Sequence, residues 1–379
     1  MANPFGEIEK ALAVLGQEAE VIPAVGPARL DLAAPDAEET YDRMTSGEAA
    51  TKGIWETEPG KGLYRPLRPI HRRQGSALRH FVAGTARVYY LGTVLERERS
   101  SPIQFAQIGA AAIRRRDDGT VRPASAGMRV ENLLILNGIL SPQLLERFQH
   151  ALPAGTRLIT TSARSGGSAE PRSRGAHAAN EAMRALQQSI LEQLQEDPPP
   201  VLDGSLGNEY FNWTSGSLLA VLKSFRQESR FTIGRGIRPR DQPTLFRLLN
   251  DLPPESRTVV FPRITAEHPD GSVVFWYVRL HALSPAMRTS PLMGVIKVEM
   301  PNAGAQCVPT ELVDRLSARL LAERTVAPYG SGARWHAHLY PLYLAGRLVR
   351  NRFHSEEVIR SGLRWPATAP AASKDGAQR

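Results

Sequence analysis

Apolar residues recur at helical spacing near the start of the chain. Phe5, Ile8, Ala11, Leu12 and Leu15 define one face of an amphipathic helix within residues 5–21. Residues 22–80 lose that rhythm, carry scattered Pro and Gly, and end in a basic run with Arg68, His71, Arg72 and Arg73. Residues 1–80 therefore read as a loop-rich arm, with partner or oligomer contacts as its expected role.

From Phe81 the pattern turns strand-like. FVAGTARVYYLGTVLER predicts a strand with a glycine bend near its start. IGAAAIRRR runs into the hairpin signal Asp117-Asp118-Gly119-Thr120. Ser141-Pro142 opens a helix over PQLLERFQHAL, and RLITTSA predicts another strand. Residues 162–176, rich in Ser, Gly and Arg, read as a solvated loop or as a cationic flap that touches phosphates. A helix is predicted over 177–196, stopped by the proline run at 198–200. PVLDGSL, GSLLAVLKSF, TVVFPRI, SVVFWYVRLHAL and PLMGVIKVEM predict strands, and PTLFRLLNDL a short helix. VPTELVDRLSARLLAER and the aromatic segment WHAHLYPLYLAGRLVRNRF close a main domain at 81–365, leaving 366–379 as a tail disordered by composition. The mixture predicts an α/β fold, a mixed β-sheet covered by helices.

Composition narrows the function classes. A length of 379 residues, 42% hydrophobic and 22% charged, suits a globular chain. No window approaches the roughly 18 apolar residues of a membrane span, and the N-terminus lacks the basic start and apolar core of a secretory signal. Cys307 is the only cysteine, which excludes an internal disulfide and a Cys-based zinc cage and makes the cytoplasm the expected compartment. The net charge of +9 favours a polyanionic partner, nucleic acid first.

No P-loop, Rossmann glycine fingerprint, HExxH or G-x-S-x-G elbow is present. Asp203 stands out because it ends an apolar strand and is followed by Gly204 and Ser205. A strand-end carboxylate beside a glycine suits a hard divalent cation near a phosphate, and equally suits an ordinary Asp-Gly turn. The segment Phe81-Val82-Ala83-Gly84-Thr85 has the same shape, with Ala83 where the second aspartate would stand. On the helix before Asp203, the apolar residues Met183, Leu186, Ile190 and Leu194 define the buried stripe. At about 100° per residue, Gln187 lies near that stripe, with Glu181 and Glu192 on the opposite side.

Several segments in order carry a resemblance. FVAGTARVYYL, LDGSLGN, GSLLAVLKSF, SVVFWYVRL with MGVIKVEM, and HLYPLYLAGRLVRNRF resemble the NurA-type nuclease domain over residues 81–353. The resemblance implies an RNase H-like core, Mn²⁺- or Mg²⁺-dependent DNA cleavage, a toroidal homodimer, and docking on a hexameric HerA-type ATPase. It implies that Asp203 is one metal-binding aspartate and that Ala83 occupies the other metal position. Lys223 would contact a phosphate, and Tyr340 would be the tyrosine of the closing helix. The family's helix glutamate falls at Gln187, with Glu181 as the acidic fallback and Glu192 behind it. Its histidine position falls among Gly346, Arg347 and Leu348, so His338 or His336 would substitute. Arg87, Arg235 and Arg347 are candidate phosphate contacts. The expected function is a metal-dependent DNA nuclease subunit in end processing, DNA repair or anti-phage defence. The alternative is an inactive DNA-binding adaptor that caps a ring ATPase. The intact strand around Ala83 favours an engineered inactivating replacement of aspartate over a natural pseudo-nuclease.

Overall fold

The computed structural model describes residues 3–30, 51–60, 62–68, 70, 78–162, 171–194, 198–207, 210, 213–214, 217–223, 231–232, 244–264, 272–282, 292–326 and 335–365. The first half of the chain forms α1 (Gly6–Glu18), β1 (Glu20–Leu30), β2 (Thr51–Lys52), β3 (Tyr64–Pro66), β4 (His80–Glu96), β5 (Arg99–Arg115), β6 (Val121–Asn137), α2 (Pro142–Ala151), β7 (Thr156–Thr161) and α3 (Pro171–Leu191). The second half forms β8 (Val201–Asp203), β9 (Leu219–Leu222), β10 (Phe231–Thr232), α4 (Leu245–Asn250), β11 (Ser256–Thr258), β12 (Phe261–Arg263), β13 (Val273–Arg279), β14 (Val295–Pro301), α5 (Thr310–Ala322), α6 (Tyr340–Arg350) and α7 (Glu356–Gly362).

Twelve strands form one mixed sheet in the order β3-β11-β13-β14-β9-β8-β4-β5-β6-β7, with β1 added on β4 and β12 on β13. The α/β class expected from the pattern is what the chain adopts. β4, β5 and β6 are an antiparallel meander, of which the Asp-Gly turn predicts the β5–β6 hairpin. β8 instead pairs with β4 in parallel, which a hairpin cannot achieve, and α3 lies on the crossover between them. β5, the middle strand of the meander, is buried on both faces, the reason its sequence runs apolar and small instead of alternating.

Alternation along the strands divides two cores. Phe81, Ala83, Val201 and Val221 face α5 and α6, whereas Val82, Leu202 and Ala220 face α3. A third core lies farther along the long strands, where Tyr89, Phe105 and Leu134 meet α1, α2 and α7. Segments of the expected arm are threaded into this body. Phe5, Ile8, Ala11, Leu12 and Leu15 are buried in the third core, β1 pairs with β4, and β3 pairs with β11. Of the basic run, residues 71–77 lie outside the described residues, as does the tail 366–379.

α3 differs from the prediction at both ends: it starts at Pro171 and stops at Leu191. Tertiary contacts override the loop-like composition of its first turns. Gln104 Nε2 donates to the Arg172 carbonyl at 2.9 Å, and the Arg172 guanidinium sits 3.8 Å from the Tyr90 ring centroid. The TVVFPRI strand likewise resolves into two short strands, β11 and β12, around Val259 and Val260.

The run IGAAAI lets α6 approach the sheet closely. A Cβ added to Gly109 would stand 2.8 Å from Val349 Cγ1 and 2.9 Å from the Arg129 carbonyl oxygen. The carbonyl is backbone and cannot swing away. Gly109→Ala is therefore expected to destabilise the chain by about 1–3 kcal/mol, the usual cost of overpacking, measured as a lower denaturation midpoint in urea.

Candidate functional site

The strand tips converge as the repeated apolar-Gly pattern requires. Phe81 pairs with Val201 and Val82 with Leu202, so one residue further the parallel register carries position 83 alongside Asp203. Both side chains lie on the α5/α6 face, because each follows by two a residue buried there. Asp203 ends β8 with its side chain 24% exposed. Gly204 follows at φ +132°, a conformation that glycine adopts without strain and that turns the chain away from the strand.

The Asp203 carboxylate is already paired: Lys223 Nζ lies 2.7 Å from Oδ2. Lys223 comes from the residue after β9, whose Val221 pairs with Asp203, so adjacent parallel strands deliver both groups. α6 adds more positive charge from above. Burial pulls the Arg350 pKa down from its ordinary value. Tyr343 and Asp203 nearby pull it the other way, and Arg87 and Arg347 add like-charge repulsion. Arg87, on β4 and on the same face as Ala83, donates to the His354 carbonyl at 3.4 Å and sits 5.5 Å from the Phe353 ring centroid. Arg347 lies 5.8 Å from the Tyr343 ring.

Lys223 therefore pairs with the Asp203 carboxylate, Arg350 feels its charge, and Arg87 and Arg347 stand near Arg350. Arg235 lies outside the described residues.

The expected metal positions 83, 187 and 203 lie close together but do not supply a set of oxygen ligands. Ala83 is wholly buried in the apolar core and offers a methyl group. Gln187 does reach the tip, but from the opposite face of the sheet. It packs against Gly84, and its Nε2 donates to the Asp203 backbone carbonyl at 3.3 Å. It holds the main chain and is not a ligand. Glu181 is exposed, with its charge felt by His177, and Glu192 is exposed with its Oε1 accepting from Gln188. Among the described residues no three His, Cys, Asp or Glu side chains cluster. A single carboxylate held by a lysine, beside a methyl and an amide that donates, does not fit the oxygen-rich shell of Mg²⁺ or Mn²⁺.

The closing helix presents two tyrosines. Tyr340 opens α6, is 42% exposed, and uses its backbone N–H on the Glu323 carbonyl. Tyr343, one turn on, is the tyrosine turned toward Arg347 and Arg350. His338 stacks on Tyr343 with ring centroids 6.3 Å apart, while His336 Nδ1 accepts from Gly294 N–H on the approach to β14. Only the i to i+3 spacing within YPLY could have pointed to Tyr343. Arg350 likewise carries little signal in the sequence, although it lies one turn beyond Arg347 on a helix whose apolar face is plain.

Beneath the tip, on the α3 face, Glu299 of β14 is fully buried. Its Oε2 accepts from Ser205 Oγ and Leu206 N–H, both at 2.9 Å, and Lys297 Nζ lies 2.7 Å from its Oε1. Arg263 donates to the Leu206 carbonyl and stands 3.5 Å from Glu299 Oε2. Burial alone would push the Glu299 carboxyl up. Lys297, Arg263 and the hydrogen bonds from Lys297 and Leu206 outweigh it and hold the pKa down at about 2. A depressed folded-state pKa means that the stabilisation is complete above the ordinary value of 4.5 and is lost as pH falls toward about 2. Acid titration followed by tryptophan fluorescence is expected to show this loss in the native chain. Glu299→Gln should flatten the pH dependence between those two values.

No family model matches the chain, and no curated protein matches it at a significant level.

Proposed function

We propose that this chain is a DNA-binding subunit of NurA-like build that holds the phosphate backbone at the Asp203 tip and does not cut it. The observation that carries the reading is the charge arrangement there. One carboxylate, already neutralised by Lys223, lies in the field of Arg350, Arg87 and Arg347 add positive charge beside Arg350, and a buried methyl stands at position 83. Such a surface attracts phosphates, whereas in-line hydrolysis by metal-bound water needs a second carboxylate to hold the ion. The path β6-β5-β4-β8-β9, an antiparallel meander continued by parallel strands, supports an RNase H-like core under this surface. The net charge of +9 supports a polyanionic partner. In this reading the subunit acts as a homodimer that caps a HerA-type ring ATPase and guides DNA, the arrangement the sequence resemblance implies. No helix among the described residues is long and apolar enough to cross a membrane.

Fluorescence anisotropy with labelled single-stranded and duplex oligonucleotides tests the reading. Lys223→Ala and Arg350→Ala are each expected to weaken binding. Each should also make the slope of log affinity against log salt shallower by about 0.7–0.9, the share of one neutralised phosphate. With Mn²⁺ the native chain should leave linear DNA intact, and cleavage by it would overturn the reading. Ala83→Asp restores the paired carboxylates of the nuclease reading. If Mn²⁺ then raises its melting temperature and DNA is cut, the scaffold is that of a nuclease that lacks one ligand.

A further inference from the structure

The turn that carries the chain away from Asp203 is held by a charged group that no phosphate can reach. Gly204, at φ +132°, gives this turn its direction, and its N–H donates to the Val221 carbonyl at 3.1 Å. Side chains add their hold at the next two positions. Ser205 Oγ and Leu206 N–H both donate to Glu299 Oε2 at 2.9 Å, and the Leu206 carbonyl accepts from Arg263. Leu206 is thus gripped at both its N–H and its C=O. Glu299 itself is fixed by the Lys297 ammonium at 2.7 Å, and Lys297 is steadied by the Phe275 ring 4.5 Å away.

An apolar side chain would fill the same space without orienting a peptide group. A buried carboxylate flanked by two cations orients it, at a desolvation cost that packing alone would not incur.

We propose that Glu299 is the positioning residue of the phosphate-binding site. By anchoring Ser205 and Leu206 it sets the direction in which Asp203 leaves β8, and therefore where the Asp203 carboxylate holds the Lys223 ammonium. The inference rests on the reading of this tip as a phosphate-binding surface. The sheet register supplies the route. Glu299 pairs with Ala220 of β9, the neighbour of Val221, and Val221 pairs with Asp203 two residues before Lys223. Glu299 therefore stands beneath the same two strand ends that present Asp203 and Lys223 on the other face. Gln187, donating to the Asp203 carbonyl from the same buried side, is the second support.

Two measurements on the full chain test this, and only one of them depends on DNA. Acylation of Lys223 by an N-hydroxysuccinimide ester, read by mass spectrometry, reports whether its ammonium is still held. Anisotropy reports DNA affinity. Glu299→Ala is expected to raise Lys223 labelling and weaken DNA binding by about three- to tenfold, the scale of losing one ordinary hydrogen bond because the effect on the site is indirect. Glu299→Gln keeps an acceptor oxygen for Ser205 and Leu206 and should restore most of both. Ser205→Ala, a smaller change that leaves the ion group intact, should shift both in the same direction by about twofold. In a Lys223→Ala background, Glu299→Ala should weaken affinity little further, because both act through one group.

A folded Glu299→Ala protein with native Lys223 labelling overturns the proposal, as does Glu299→Gln behaving no better than alanine. If Glu299→Ala fails to fold, Ser205→Ala decides: native labelling in that variant overturns the proposal as well. If the native chain binds no DNA, the functional reading falls while the labelling still decides the positioning role.

Discussion

The site depends on a short stretch of parallel pairing. Phe81 and Val82 meet Val201 and Leu202 because α3 carries the chain across a face of the sheet between β7 and β8. Parallel neighbours cannot be joined by a tight turn, so the strand tip at Asp203 reaches position 83 only if that helix is seated correctly. Small residues seat α3. Gly84 admits Met183 and Gln187, and Gly175 admits Gln104. A side chain at either glycine would lift the helix, and with it the support that Gln187 gives to the Asp203 carbonyl.

Two carboxylates near this tip illustrate how environment divides their roles. Asp203 is partly exposed and shares its charge with a lysine that solvent can also reach. Glu299 is sealed between Lys297 and Arg263, where its ionised form is strongly favoured. The first belongs to a partly exposed surface beside Arg350, and the second to the frame under it. Removing one member of such a buried group typically costs about 3–5 kcal/mol, since the remaining charges are left without a counterpart.

Most elements were readable from local pattern. The Asp-Gly turn marked the β5–β6 hairpin. Ser141 before Pro142 marked α2, where the Ser141 hydroxyl accepts from the Leu144 N–H at 3.3 Å. The apolar runs of β13 and β14 marked strands buried on both faces. Local pattern failed where distant residues decide the outcome. The first turns of α3 are helical because Gln104 and Tyr90 hold Arg172, and nothing within residues 171–176 records that. The tip was legible for the same reason it is simple: two apolar-Gly segments fold onto adjacent strands. The surrounding charge was legible only in part. Arg87 and Arg347 stood out as basic residues beside the tip segments, but Arg350 and the choice of Tyr343 over Tyr340 depend on how α6 is rotated on the sheet. Glu299 carried no sequence signal of its role, because a buried acid in a β-strand looks like any alternating polar position until its partners are known.

The three long strands of the meander have a consequence for how the molecule tolerates change. Each of β4, β5 and β6 is 17 residues long, about 55 Å at roughly 3.3 Å per residue. One end carries the charged tip, and the other carries the separate apolar cluster built with α1, α2 and α7. These two packing units lie in series along the same ribbons and meet at one joint: Phe5 of the far cluster packs edge-on against His354, whose carbonyl accepts from Arg87. A reshaped far end therefore has a direct route to the charged end, as a lever passes movement from one arm to the other.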